Sequence, residues 1–479
     1  MKRSRTPPPT RPYQAHKCII INPFHGGSHK QFVKNLISHF ATLHQSNSTR
    51  NTAIKSHAIY HLPGKKWHWR LLVSAAHFAH IIPPDTLGKD GILFTTSLLN
   101  LATLIALRPD LGQRTKILYF HENQFEYPDS IGNQHQNQSQ NQSQNQSQKQ
   151  TSSKKWSEYG WAQMMSCLAA DYIYFNSKHN METFIQGAKR LLSEIPSPSR
   201  PENIIEQIQM KSKVLYYPVQ MSFLTNTTEL QMQQEQHHQQ QNQRQQQHLP
   251  LHIVWNHRWE FDKGPNELYE LIKRWSTNGK YQLRISIVGI EYPNIPQSLH
   301  AIRNEFVDAE GSSTNNLIEF VHFGPIKEYQ EYVLLLQNAD IVLSTANHEF
   351  FGVAVMEGVA AGCCPVCPNK LSYPELYPKD CLYNTNNQMF KMLKSHASNP
   401  FKFRTVTRPK LLQLINVQQY SLKTLGDTYE KIMFGSDGNK VLQKKANEKL
   451  GYLFVLVLLF SLIVVMLNDW WGIFLEQER

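Results

Sequence analysis

The chain has 479 residues, 41% hydrophobic and 18% charged, with a formal net charge of +12. That length accommodates two domains of ordinary size, and the positive balance favours acidic partners such as nucleotides, nucleic acid or a membrane surface, although no single basic block dominates. Six cysteines in apolar settings are too few for a disulfide framework and fit a reducing compartment.

The opening segment MKRSRTPPPTRPYQAHK has charges and prolines but no apolar stretch, so no signal peptide is expected there. Short β-rich runs then alternate with helical stretches: CIIINPF from Cys18, GILFTTS from Gly91, KILYFHEN from Lys116, YIYFNS from Tyr172 and KVLYYPV from Lys213. The pattern restarts with LHIVWNHR at Leu251, RISIVG at Arg284, IEFVHFG at Ile318, IVLST over Ile341 to Thr345, and CCPVCP from Cys363. Alternating strands and helices predict parallel sheets covered on both faces, and the restart predicts two such units. The expected order is a disordered N-terminus (1–15), a first Rossmann-like domain (16–225) and, after a linker (226–249), a second (250–433).

Two glutamine-rich stretches, 133–153 inside the first domain and the 226–249 linker, bury too little apolar surface to fold and read as disordered. The first carries Asn-x-Ser sequons at Asn137, Asn141 and Asn145, which matter only for a luminal body. In GCCPVCP, Cys364 and Cys367 form a Cys-x-x-Cys pair without a second pair or a histidine cluster, so a buried strand is favoured over a zinc site. After a linker (434–449), Leu450 to Asn468 contains no charge and is long enough for a candidate transmembrane helix. Lys444, Lys445 and Lys449 precede it and the 469–479 tail is acidic, which leaves the body cytosolic if the helix is a tail anchor. The other reading is a divergent C-terminus without bearing on activity.

Four motifs carry candidate chemistry. INPFHGGSHKQF follows the first strand, and Gly26 and Gly27 there serve either a plain turn or the close approach of a ligand to a helix N-terminus. The segment is not a Gly-x-Gly-x-x-Gly fingerprint and no Walker A sequence occurs, which argues against dinucleotide and P-loop chemistry. A His-Gly-Gly oxyanion loop would need a Gly-x-Ser-x-Gly elbow that the chain lacks. YFHENQFEYP sets His121 at the C-terminal end of a strand, where open α/β sheets bind ligands; it could bond a sugar hydroxyl or be structural. WNHRWEFDKGP places Arg258 and Lys263 in the next such loop, either neutralising a diphosphate or simply solvated.

The fourth, STANHEFFGVAVMEG, sets Glu349 in a strand-to-helix loop and Glu357 in the second helical turn. At ~1.5 Å per helical residue plus the loop, the carboxylates lie roughly 12 Å or more apart. That is long for a glycosidase acid/base pair, which needs about 5 to 9.5 Å, and about the length of a sugar diphosphate. The amides around Phe351, Gly352 and Val353 could hold a diphosphate between an acid that meets the sugar (Glu349) and one that meets the ribose (Glu357). Alternatively, Glu349 is a favourable N-terminal charge and Glu357 a solvated helix residue.

Arg258 with Lys263, then Glu349 and Glu357 around Phe351 and Gly352, resemble the retaining GT-B glycosyltransferases of family 4. Closer in, INPFHGGSHKQF, YFHENQFEYP, FNSKHNMETF, WNHRWEFDKGP and STANHEFFGVAVMEG together resemble the tRNA-queuosine α-mannosyltransferases over about residues 17 to 430. The resemblance implies a GT-B fold, two Rossmann-like domains facing a cleft, the first on the acceptor side and the second binding the donor. It implies GDP-mannose as donor, queuosine in a tRNA anticodon (tRNA-Asp type) as acceptor, retained configuration, and neither cofactor nor metal. By the same resemblance Arg258 and Lys263 bind the diphosphate, Glu349 the mannose hydroxyls and Glu357 the ribose. Gly26 and Gly27 line the cleft and His121 faces the transferred sugar. A cytoplasmic enzyme is expected, with the nucleus as a second location. The competing readings are a membrane-anchored glycosyltransferase with a lipid or glycan acceptor, favoured by the apolar tail, and an inactive nucleotide-sugar binder, disfavoured by the intact charged set.

Overall fold

The computed structural model describes residues 15–46, 57–126, 158–221, 249–291, 294–307 and 315–434. The segments expected to be disordered, linking or membrane-spanning (1–15, 133–153, 226–249, 434–449, 450–468 and 469–479) lie outside these apart from Ala15, Leu249 and Phe434. No helix among the described residues is long and apolar enough to cross a membrane.

Two six-stranded parallel sheets organise residues 15–426. The first comprises β1 (His16–His25), β2 (His57–Pro63), β3 (Leu87–Thr96), β4 (Thr115–Phe120), β5 (Tyr172–Phe175) and β6 (Ser212–Val214), in the order β2-β1-β3-β4-β5-β6. The second comprises β7 (Leu251–Trp255), β8 (Leu283–Val288), β9 (Ile318–Gly324), β10 (Ile341–Leu343), β11 (Cys364–Pro368) and β12 (Leu382–Tyr383), in the order β12-β11-β10-β7-β8-β9. Central strands such as LHIVW are buried along their whole length, as a sheet covered on both faces requires. In each sheet the chain lays strands to one side and then crosses back, between β1 and β3 and between β7 and β10. Such switch points leave a crevice at the carboxyl ends of the strands.

Helices cover the faces by burying one stripe each. Helix α1 (Gly27–Ser46) buries Phe32, Val33, Leu36 and Phe40, and α2 (Trp67–Ile81) buries Leu71, Ser74, Ala75 and Phe78. Helix α3 (Lys178–Glu194) begins where the Ser177 hydroxyl accepts from the Asn180 amide. In the second sheet, α4 (Pro265–Asn278) and α5 (Val353–Ala360) both start from a glycine with positive φ, Gly264 at 68° and Gly352 at 83°.

The structure corrects the sequence reading in two places. The strand expected over Ile341 to Thr345 closes at Leu343, because side-chain bonds recruit the next residues. The Ser344 hydroxyl accepts from the Ala346 amide, and the Thr345 hydroxyl donates to the Lys263 carbonyl and accepts from the Trp255 indole. Strand β2, unanticipated in the sequence, is a half-exposed edge whose histidines interrupt the apolar run. The expected second domain, 250–433, also returns residues to the first lobe: Val219 donates to the Tyr420 carbonyl and Leu422 donates to the Val219 carbonyl. All six cysteines are free and buried, with Cys364 and Cys367 in β11 as the apolar-strand reading expected.

The loop after β7 is stitched to the loop after β10. Asn347 and His348 both donate to the Asp262 carbonyl, at 2.8 and 3.1 Å. A Cβ on Gly264 would stand 1.9 Å from the Thr345 carbonyl oxygen, whereas one on Gly27 (φ 49°) meets nothing within 4 Å. Gly264→Ala should therefore cost more than ~3 kcal/mol, against about 1–2 kcal/mol for the purely conformational Gly27→Ala. Thermal denaturation of the two variants checks this, and equal losses would deny the close approach its role.

Candidate functional site

The crevice ends of both sheets meet around one cavity. Ser28 and His29 from the start of α1, His121 and Glu122 after β4, and Asn176 and Tyr217 line it from the first lobe. Arg258, Asp262 and Lys263 after β7, with His348, Glu349, Phe350, Phe351 and Val353 between β10 and α5, line it from the second.

Lys263 is the buried centre of the second-lobe half. Its ammonium donates to the His348 carbonyl at 2.9 Å and lies 3.0 Å from Asp262 and 3.2 Å from Glu349. Burial alone would lower its pKa, but the Asp262 and Glu349 carboxylates outweigh that and raise it above the ordinary lysine value. In return, Asp262 and Glu349 are held below the usual carboxylate range although burial opposes their ionisation; Lys263 is the main cause. Arg258 is more open: its guanidinium pairs with Glu260 at 2.9 Å and reaches Asp262 at 3.8 Å, with 39% of its side chain exposed. Two cations thus project toward the same space, one rigid and one adjustable.

On the facing side His121 is buried against Phe32, Tyr119 and His29, and its Nε2 has no hydrogen-bond partner. Burial, with a smaller contribution from His29, pushes its pKa well below the ordinary histidine value. His29 is pushed down to about 3 by burial and then by Arg258 across the cavity. Both imidazoles are neutral at pH 7, so each can accept one hydrogen bond and donate another, which suits sugar hydroxyls.

Asparagines fix the HEN segment. The Asn176 amide donates to the His121 carbonyl at 2.8 Å and the Ser97 hydroxyl donates to the Glu122 carbonyl at 2.9 Å. The Asn123 amide donates to the Asn180 side chain at 2.9 Å, and Asn180 donates to Asn176 at 2.8 Å. Glu122 was not singled out in the sequence. Burial pushes its pKa up to about 7, even though Arg258 and Lys263 across the cavity pull it down. Glu260 is raised by burial too. Lys263 and Arg258 thus face the Asp262 and Glu349 carboxylates, with Glu260 beside Arg258.

The remaining candidates occupy different stations. Glu357 lies in the second turn of α5 and accepts from the Tyr332 hydroxyl at 3.0 Å; burial raises it to about 7. The Asn256 amide donates to both Tyr332 (2.9 Å) and the Ala354 carbonyl (2.7 Å), which ties β7 to α5. Gly352 gives α5 its left-handed N-cap, and the Phe351 ring packs near Tyr216, Tyr217 and Tyr420. Gly26 and Gly27 shape the turn instead of lining the cavity; the next two residues, Ser28 and His29, do that. Gly26 has a packing reason of its own, since a Cβ on it would stand 3.0 Å from the Gly64 Cα.

A cation pair and a helix start on one wall, facing neutral imidazoles and a near-neutral acid on the other, can hold a diphosphate while a sugar contacts the opposite lobe. Comparison with known proteins agrees with that arrangement. The family described as "tRNA-queuosine alpha-mannosyltransferase N-terminal" matches residues 17–219, and "Glycosyl transferases group 1" matches residues 234–379. The tRNA-queuosine alpha-mannosyltransferase of Drosophila melanogaster is 36% identical over 411 residues, covering 86% of this chain and 94% of that protein. Among solved structures, an α,α-trehalose-phosphate synthase (UDP-forming) from Burkholderia vietnamiensis superposes with a TM-score of 0.55 at 11% identity, covering 89% of this chain and 99% of its own. The N-terminal domain of Candida albicans trehalose-6-phosphate phosphatase does so with a TM-score of 0.55 at 12% identity, covering 88% and 97%. Those two likenesses speak for the fold, two parallel-sheet α/β lobes matching the GT-B glycosyltransferases. The identity to the fly protein, spread over nearly all of its length, establishes that this chain belongs to the tRNA-queuosine alpha-mannosyltransferase family.

Proposed function

We propose that this chain transfers mannose from GDP-mannose to queuosine in the anticodon of a tRNA of the tRNA-Asp type, with retention at the anomeric carbon. The observation that carries the reading is the cavity in which Arg258, Lys263 and the start of α5 face His121 and Glu122, in a chain of this family. The diphosphate sits against Arg258, Lys263 and the amides around Phe351 to Val353. Glu349 meets the mannose hydroxyls, Glu357 the ribose, and His121 the transferred sugar from the other lobe.

In the transfer, a queuosine hydroxyl oxygen bonds the mannose anomeric carbon on the face that the diphosphate leaves. The carbon–oxygen bond to phosphate breaks with its electron pair going to GDP, and the hydroxyl proton passes to the departing phosphate oxygen. Charge builds on the leaving diphosphate, where preorganised cations and helix amides stabilise it most. The reaction on this account draws on no metal.

The direct test is transfer of labelled mannose from GDP-mannose to total tRNA from cells with and without queuosine, run in EDTA. Queuosine-dependent labelling is expected; label appearing only on lipid extracts would overturn the reading. Within that assay Arg258→Ala, whose half-open side chain leaves the fold intact, should lower turnover on the order of 10²-fold. Glu349→Gln should weaken use of mannose over other GDP-sugars, and full activity with unchanged sugar preference would remove Glu349 from the sugar contact.

The position of Glu122 generates a pH dependence. Its carboxyl, raised to about 7, is uncharged below that pH and adds a negative charge beside the bound diphosphate above it. Affinity for GDP-mannose, whose diphosphate keeps a fixed charge over this range, measured by calorimetry should therefore fall by roughly five- to tenfold between pH 6 and pH 8. Glu122→Gln should keep only the shallower dependence contributed by Glu357. An identical profile in the variant would mean that Glu122 does not ionise next to the phosphates.

A further inference from the structure

The net positive charge of this chain is carried by one end of it. The first acidic residue is Asp85, and 12 of the 49 lysines and arginines precede it; the other 37 are matched by 37 aspartates and glutamates. The whole net charge of +12 is therefore carried by the first 84 residues. Six of the twelve, Lys17, Lys30, Lys34, Lys65, Lys66 and Arg70, lie among the described residues, on or beside β1, α1, β2 and α2, one flank of the first lobe.

Within the described part of that flank, charge and exposed aromatic surface converge beside the cavity. The segment GKKWHWR leads from β2 into α2 with Lys65 and Lys66 exposed and Trp69 52% exposed. Lys66 holds a left-handed backbone, φ 51°, a conformation that nonglycine residues seldom adopt without a reason. Arg70 follows, its Nε donating to the Pro63 carbonyl, and Leu72 and Val73 continue the exposed face of α2. The segment touches the cavity-lining loop directly: the Gly64 and Gly26 backbones are in contact, and His61 stacks on His25 at 4.3 Å. His25 is lowered by burial and then by His61 and Lys30, as expected where positive charge accumulates.

We propose that this flank, centred on Lys30, Lys65, Lys66, Trp69 and Arg70, is the docking surface for the single-stranded loop of the acceptor tRNA. The proposal rests on the function given above. Cations neutralise phosphates and supply affinity, while an exposed indole gives an unpaired base a stacking face. Cations beside exposed apolar side chains would also suit a lipid surface, but their position next to the sugar-transfer cavity favours the acceptor of the transfer itself.

The experiment uses the full chain and a fluorescent RNA hairpin with an unpaired loop, together with queuosine tRNA in the transfer assay. Lys65→Glu/Lys66→Glu should weaken hairpin binding by about tenfold or more and reduce the slope of log affinity against log salt by roughly 1 to 2. The same variant should raise KM for tRNA while leaving GDP affinity and kcat within about twofold, since neither lysine lines the donor cavity. Trp69→Ala should weaken the hairpin by about fivefold or more and leave a fully paired duplex of the same stem almost unchanged. Lys391→Glu, an exposed lysine of the second lobe, is the control and should do little. Wild-type hairpin affinity and KM in the double variant would overturn the surface, as would equal losses in the control. Loss of binding to phosphatidylserine vesicles with RNA binding intact would also overturn it. Hairpin binding that depends on Lys65 and Lys66 without mannose transfer by the wild type would uphold the surface and overturn the function.

Discussion

The donor half of this molecule is organised by one buried ammonium. Lys263 sits among the Asp262 and Glu349 carboxylates and the His348 carbonyl, so a charge that would cost several kcal/mol to desolvate alone is compensated from three directions. Two of those groups come from the loop after β10 and one from the loop after β7, so the ion cluster fixes where one loop stands against the other. The same junction brings Gly264 against the Thr345 carbonyl, too close for any side chain. Site geometry and local stability therefore share their determinants, and binding of an anion exploits a cation that the fold already had to place.

The two lobes are held together by interactions of a different kind. The Glu375 carboxylate accepts from the Lys178 and His179 amides, at 2.9 and 3.2 Å, which places an anion from the second lobe on the N-terminus of α3 in the first. Beside it Phe351 lies among Tyr216, Tyr217 and Tyr420, ring centroids 5.7 to 6.3 Å apart. Phe351 thus has two duties: its backbone belongs to the anion-facing helix start and its ring belongs to the seam. A residue placed this way couples the spacing of the lobes to the position of the diphosphate.

Much of this was legible in the sequence because parallel sheets write strong signals. Runs such as LHIVW and IVL are buried along their whole length, and the loops after them carry Arg258, Lys263 and Glu349, all of which reach the cavity. His121, at the end of its strand, was recoverable by the same rule. What stayed hidden depends on three-dimensional neighbours. Glu122 looks like an ordinary polar residue beside His121 until burial and the opposing cations are seen. Gly26 and Gly27 suggested a ligand loop, but nothing local reveals that Gly26 is small because Gly64 crosses it. The HENQ motif holds the clearest signal that sequence reasoning passed over: its Asn123 joins Asn180 and Asn176 in a network that fixes the backbone of His121 and Glu122.

The charge of the donor cavity also bears on how a large polyanion could be recruited. Lys263 and Arg258 are already opposed by Asp262, Glu349 and Glu260, so their field is largely cancelled a few ångströms away. That suits a diphosphate, which must be held tightly in one orientation and then released, because short-range geometry discriminates better than a diffuse field. It cannot supply the long-range attraction that association with RNA exploits, which acts over about a Debye length. Beyond residue 84 the chain is balanced overall, so the excess charge available for that attraction lies among the first 84 residues. Separating the two tasks lets the chain draw in a polyanion on one surface without overloading the site where a second anion is formed and must leave.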